Sequence, residues 1–185
     1  MTNNELYKNA TTKFYENKFE EALSIYFKIL SEDLNNYAMY YNIALTYEML
    51  GEMELAVANY KKAIGINPKD VRSINNLARI FLEYIKDEKT ACEYLDYAIE
   101  TVPSDAEAYN IYGNIYFNKQ KYKTAKLYFQ KSINFDKNFY KNYYDIAKAY
   151  IGMDDYENAK QSLNTCLELK PDNDLAKKLL SELKG

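Results

Sequence analysis

Residues 37–70 read YAMYYNIALTYEMLGEMELAVANYKKAIGINPKD. The first half, Tyr37 to Leu50, places bulky apolar residues at Tyr40, Ile43, Tyr47 and Leu50, the i, i+3, i+7, i+10 spacing of one helical stripe. Gly51 ends that helix, because glycine enters the left-handed conformation readily. The second half carries Leu55, Ala56, Tyr60, Ala63 and Ile64, again at helical spacing. Asn67-Pro68 stops it, since proline disfavours helix at the residue before it. The stretch predicts two antiparallel helices joined by a short turn.

The same plan returns on both sides. Small residues recur at Ala22, Ala56, Ala91, Ala125 and Ala159, spaced 34, 35, 34 and 34 residues. A second series, Ala10, Ala44, Ala78, Gly113 and Ala147, is spaced 34, 34, 35 and 34. A small residue kept at one phase marks a close approach of two backbones. Large residues keep the same time: Leu6, Tyr40, Ile74, Tyr109 and Tyr143 in first helices, and Tyr26, Tyr60, Leu95, Phe129 and Leu163 in second helices. Pro68, Pro103 and Pro171, all the prolines of the chain, fall twelve residues after a repeated alanine. A fixed period near 34 residues predicts a stacked-repeat architecture.

Departures from the period carry their own expectations. The late beat at Ala91 locates one inserted residue after Ala78, expected in the turn near Ile85-Lys86-Asp87-Glu88. Leu34 and Lys137 stand where proline stands in other repeats, so those junctions are expected to be more continuous. Asn9 and Lys13 make the first helix polar where others are apolar, as a terminal repeat requires; the chain is therefore expected to begin at a true end. Leu175, Leu179 and Leu183 form a stripe at i, i+4, i+8, predicting a helix that covers the last repeat; a truncated sixth repeat or a dimer contact are its alternatives.

Bulk properties narrow the function. A net charge of −3 without a basic cluster argues against a nucleic-acid partner. No run of about 18 apolar residues occurs, so no membrane span is expected. The N-terminus lacks the basic and apolar segments of a signal peptide, and a cytoplasmic address follows as the default. The chain has no histidine, which removes Ser-His-Asp and His-metal arrangements, and no Gly-rich phosphate loop is present. No catalytic residue, cofactor or metal site is expected, and the chain is read as not an enzyme. Cys92 and Cys166, 74 residues apart, are read as small hydrophobes. Abundant Asn, Lys, Tyr and Ile resemble the codon bias of an AT-rich bacterial genome.

Tyr40, Ile43-Ala44, Tyr47, Gly51, Ala56, Tyr60, Ala63 and Pro68 resemble the signature of the tetratricopeptide repeat (TPR) family. The resemblance assigns repeats to 3–36, 37–70, 71–105, 106–139 and 140–173, with a capping helix at 174–185, as a single domain over 1–185. It implies an all-α, right-handed α-solenoid of five helix-turn-helix units, whose first helices line a concave groove. The groove phase includes Asn4, Thr11, Phe14, Tyr15, Leu45, Glu48 and Asp145. Its candidate peptide-binding residues are Tyr7, Tyr41, Asn42, Arg72, Asn75, Asn76, Arg79, Asn110, Asn114, Tyr144 and Lys148. The asparagines would form a polar ladder that pairs with a peptide backbone, and the tyrosines would add rigid aromatic contacts. At the phases of the clamp that holds chaperone C-termini, only Asn42 and Arg72 fit, so no such clamp is expected. The function implied is a scaffold or adaptor that binds a peptide segment of a partner protein. Alternatives are the recruitment or sensing part of a larger enzyme or regulator, and a self-assembling homo-oligomer.

Overall fold

In a computed structural model, the described residues, 2–183, form eleven α-helices and one π-helical turn. They divide into two compact units, Met1–Thr101 and Val102–Gly185. The first unit contains α1 (Asn3–Tyr15), α2 (Phe19–Glu32), α3 (Tyr37–Leu50), α4 (Met53–Ile66), α5 (Val71–Ile80), a π turn (Phe81–Ile85) and α6 (Glu88–Thr101). The second contains α7 (Ala106–Asn118), α8 (Tyr122–Phe135), α9 (Tyr140–Ile151), α10 (Tyr156–Leu169) and α11 (Asp174–Glu182).

Small residues sit where helices of a pair meet. Ala10, Ala22, Ala44, Ala56, Ala78 and Ala91 are fully buried in the first unit, as are Ala125, Ala147 and Ala159 in the second. Gly113 breaks the alanine series because the Phe129 ring lies directly against its backbone. A Cβ added there would lie 2.4 Å from the Phe129 ring, inside any allowed contact. Tyr60 and Phe129 fill matching places beside Ala44 and Gly113 and are fully buried. Each such side chain contributes about 1.5–3 kcal/mol through burial.

Every turn between paired helices places one residue in the left-handed region: Asn17, Gly51, Lys86, Gln120 and Asp154, at φ 59°, 81°, 62°, 57° and 59°. Only repeat two uses glycine. In four repeats the turn closes in the same way: the N–H after the left-handed residue bonds a carbonyl five residues back. These bonds are Lys18 to Lys13, Glu52 to Tyr47, Lys121 to Tyr116 and Asp155 to Tyr150, each 2.9 Å between N and O. Repeat three differs. Asp87 N–H bonds the carbonyl of Phe81, six residues back, at 2.9 Å. Phe81 is in step with Tyr47, while Asp87 is one residue late against Glu52. The insertion therefore lies inside the last helical turn, which widens to a π turn over Phe81–Ile85, and not in the following linker as the sequence predicts. One extra residue in a helix is accommodated by a π-bulge with its hydrogen bonds kept.

The proline-free junctions are also not more continuous. The second helices α2, α4, α6, α8 and α10 are each 14 residues long. At the proline-free junctions the Asp33 carboxylate accepts from Asn35 N–H at 3.0 Å and Asp136 from Asn138 N–H at 2.9 Å, as Asn67 beside Pro68 accepts from Lys69 N–H at 3.2 Å. Such a local bond competes with the helix and ends it.

Helix α11 packs on α10 through Ala176 and Leu180, which join the core of Leu163 and Cys166, with Leu179 and Leu183 partly buried beside them. Leu175 is 64% exposed and does not belong to the covering face, so the expected leucine stripe is corrected by one phase. Ala176 and Leu180 lie one repeat after Asn142 and Ile146, so α11 takes the place of a first helix. Residues 184 and 185 of the expected capping helix lie outside the described residues.

Candidate partner-binding face

The fifth, sixth and ninth residues of each repeat lie on the first helix, on the phase expected to face a groove. Fifth residues are Tyr7, Tyr41, Asn75, Asn110 and Tyr144. Sixth residues are Lys8, Asn42, Asn76, Ile111 and Asp145. Ninth residues are Thr11, Leu45, Arg79, Asn114 and Lys148.

In the first unit, Tyr7, Thr11, Phe14 and Tyr15 of α1 and Tyr41, Asn42 and Leu45 of α3 line an open cavity of about 170 Å³, with Tyr26 of α2 at its floor. Tyr26 is buried, and burial pushes its phenol above the ordinary value despite the neighbouring Thr11 hydroxyl. The rings are held by neighbours. Tyr7 lies 6.4 Å from Tyr26, Phe14 packs edge-on against Phe19 at 5.6 Å, and Tyr41 lies 5.9 Å from Tyr60, between ring centroids. The Arg72 guanidinium stands 4.5 Å from the Tyr41 ring centre while its Nε donates to the buried Asp70 carboxylate at 3.0 Å. The Asn42 amide is half-buried at the cavity wall and makes no hydrogen bond among the described residues.

One repeat further along, the groove-phase groups are bonded to one another. Asn76 Nδ2 donates to the Tyr60 hydroxyl at 3.1 Å, and Tyr60 donates to Glu48 Oε2 at 3.0 Å. Arg79 Nη2 donates to Asn76 Oδ1 and lies 3.8 Å from Glu48 Oε1. Burial, with the Glu48 carboxylate beside it, drives the Tyr60 phenol far above its ordinary range. Asn75 and Asn76 are buried, which takes both out of reach of a peptide backbone.

In the second unit the groove phase is closed more completely. Asn110 Nδ2 donates to Asn142 Oδ1 at 2.9 Å and to Asp145 Oδ2 at 3.1 Å. Asn114 Nδ2 contacts the Asn110 carbonyl at 3.0 Å and the Asn110 amide oxygen at 3.2 Å. Lys148 Nζ pairs with Asp145 Oδ1 at 2.7 Å and rests 5.1 Å from the Phe117 ring and 5.2 Å from the Tyr144 ring. Ser132 of α8 donates to the Ala106 carbonyl and lies 2.9 Å from Asn142 Oδ1. The network ties α7, α8 and α9 together. Asn110 is 1% exposed, with both amide hydrogens and its oxygen in use. The asparagine ladder read from the sequence is here internal wiring, not a row of open amides.

Asn142, Ser132 and Tyr26 were not among the expected site residues. Asn142 had only a partial signal: Met39 and Ala108 at its phase are buried and apolar, but Ser73 there is buried and polar.

The tetratricopeptide repeat signature matches residues 37–70, 106–139 and 140–173. Among curated relatives, the human Protein O-mannosyl-transferase TMTC3 is 28% identical over 137 residues, 72% of this chain and 15% of that protein. The Photosystem I assembly protein Ycf3 of Cyanophora paradoxa is 31% identical over 78 residues, 40% of this chain and 45% of that protein. The chain thus spans less than half the length of either. Among solved structures, the TPR protein TTC0263 of Thermus thermophilus superposes with a TM-score of 0.81 at 15% identity, covering 98% of each chain. The fold is an all-α TPR solenoid, and the chain belongs to the tetratricopeptide repeat family.

Proposed function

We propose that this chain is a protein-interaction scaffold that holds a peptide segment of a partner protein on its first helices. The observation that carries the reading is the convergence of groove-phase side chains Tyr7, Tyr41 and Asn42 on one open cavity. Arg72, half of whose side chain is exposed, would add a cation beside the cavity. The resemblance to a protein named for assembly fits such a role. The reading is non-catalytic and cytoplasmic.

A second reading has its own support. The match to TMTC3 covers 15% of a transferase, which favours a repeat segment that serves a larger enzyme by recruitment.

Affinity capture from an extract of the source organism, with identification of the bound protein, tests the scaffold reading. Capture by the natural chain and loss with Tyr41→Ala, at unchanged helical circular dichroism, is the expected result. Equal capture by both chains would remove this face from the function.

A further inference from the structure

We infer that the cavity between α1, α2 and α3 receives one uncharged, ring-sized apolar side chain of an extended peptide, whose backbone is held by the Asn42 amide. The inference rests on the scaffold reading and names the chemistry that its open face selects.

Size comes first. The cavity measures about 170 Å³, and a cavity of roughly 150 Å³ lined by apolar groups accommodates a benzene ring. A phenylalanine, leucine or methionine side chain fills such a space; an alanine leaves most of it empty.

Charge comes second. The lining contains no carboxylate, ammonium or guanidinium. An ionised side chain would lose water there without gaining a counter-charge. A cation could still use ring faces, but the Tyr41 ring already carries Arg72 at 4.5 Å and packs on Tyr60 at 5.9 Å. A second cation beside that guanidinium would meet like charge.

Rigidity comes third. Tyr26 is 2% exposed, and the Phe14 and Tyr41 rings are each braced by another ring. Walls that are already ordered lose little entropy when the pocket fills. The edge of the pocket supplies the polar half of recognition. Leu45 stands one helical turn after Asn42 and offers no hydrogen-bonding group, so the amide keeps both a donor and an acceptor for a peptide backbone. Arg79 and Lys148, at the matching positions of repeats three and five, bond back to Asn76 and Asp145 instead.

A random heptapeptide library selected on the immobilised full chain tests the inference. Bound sequences are expected to share one position held by Phe, Leu, Met or Tyr. Thr11→Phe, which fills the cavity, should weaken their binding at least tenfold. Asn42→Ala, which removes the amide at the wall but keeps the ring walls of the cavity, should weaken it about three- to tenfold, the cost of a hydrogen bond or two. Thermal melting of both variants checks that they fold; should Thr11→Phe fail to fold, Leu45→Phe fills the same space from α3. Selected peptides that bind all variants equally would overturn the pocket and leave the scaffold reading standing. A shared Lys or Arg, or a shared Asp or Glu, in place of the apolar residue would also overturn it. Failure to select any peptide would count against both.

Discussion

Asn42 in repeat two and Asp145 in repeat five stand at the same phase of equivalent helices, yet one is left open and the other is closed. Asp145 is 2% exposed and collects Asn110, Asn114 and Lys148 around its carboxylate. Asn42 is half-buried beside a cavity with its amide unengaged among the described residues. The difference lies three residues on, at the ninth position of the repeat. Lys148 can turn back one helical turn to the carboxylate; Leu45 cannot. Repeat three follows repeat five, with Arg79 turning back on Asn76. Helical phase tells which way a side chain points, and the chemistry of its neighbours decides whether it remains available.

The largest expected effect comes from breaking the closed region. Asp145→Ala removes the acceptor shared by Asn110 and Asn114 and strips Lys148 of its partner. Leaving buried polar groups unsatisfied costs about 3 kcal/mol, read as a lower urea midpoint with unchanged slope. Asn42→Ala should shift the midpoint by less than about 0.5 kcal/mol, as a surface change does. Comparable losses from both would mean that Asn42 has a structural partner after all and that the contrast is false.

Much of the fold was legible because close helix packing constrains single residues at single phases. Ala22, Ala56, Ala91, Ala125 and Ala159 all occupy the buried approach that their spacing implies. Gly113 was legible as small but not as glycine, because the reason is a ring on another helix, Phe129. The period located the inserted residue after Ala78, yet a count of residues cannot tell a longer linker from a π turn; hydrogen bonding to the Phe81 carbonyl decides that. The site was less legible. Asn75, Asn76 and Asn110 read as open amides on helical phase alone. Their partners come from distant positions: Tyr60 lies 16 residues from Asn76, and Asn142 lies 32 from Asn110. No local pattern reveals such pairs.

Tyr60 supplies a smaller test, within the first unit. Its phenol links Asn76 to Glu48, and burial beside that carboxylate raises its pKa above the ordinary value of 10.0. In the unfolded chain the phenol ionises near that ordinary value; in the folded protein it stays neutral to higher pH. The stabilisation is therefore complete below pH 10 and is lost as pH rises above it. Tyr60→Phe should cost about 1 kcal/mol at neutral pH through lost hydrogen bonds, and should flatten part of the alkaline fall. Some fall should persist, because burial also raises Tyr26, Tyr94 and Tyr150. Parallel stability curves for both proteins above pH 10 would show that the Tyr60 phenol does not carry this part of the alkaline fall.

The smallest change in stability, and the sharpest in meaning, is expected from Leu45→Lys. It gives repeat two the ninth residue of repeat five. Its ammonium can reach the Asn42 oxygen one turn back, as Lys148 reaches Asp145 at 2.7 Å, but it meets a neutral amide rather than a carboxylate. Leu45 is only half-buried, so the lost apolar contact and the new hydrogen bond should nearly cancel, within about 1 kcal/mol. The readout is the exchange of the Asn42 side-chain amide with water, followed by nuclear magnetic resonance. A charged donor on the amide oxygen makes the amide N–H groups more acidic, so their base-catalysed exchange should be faster than in the natural chain. At the same time the ammonium crosses the space beside Tyr41, where Arg72 already stands, so melting at low salt should fall more than melting at high salt. If the Asn42 exchange rate does not move, the ninth residue is not what opens or closes this face.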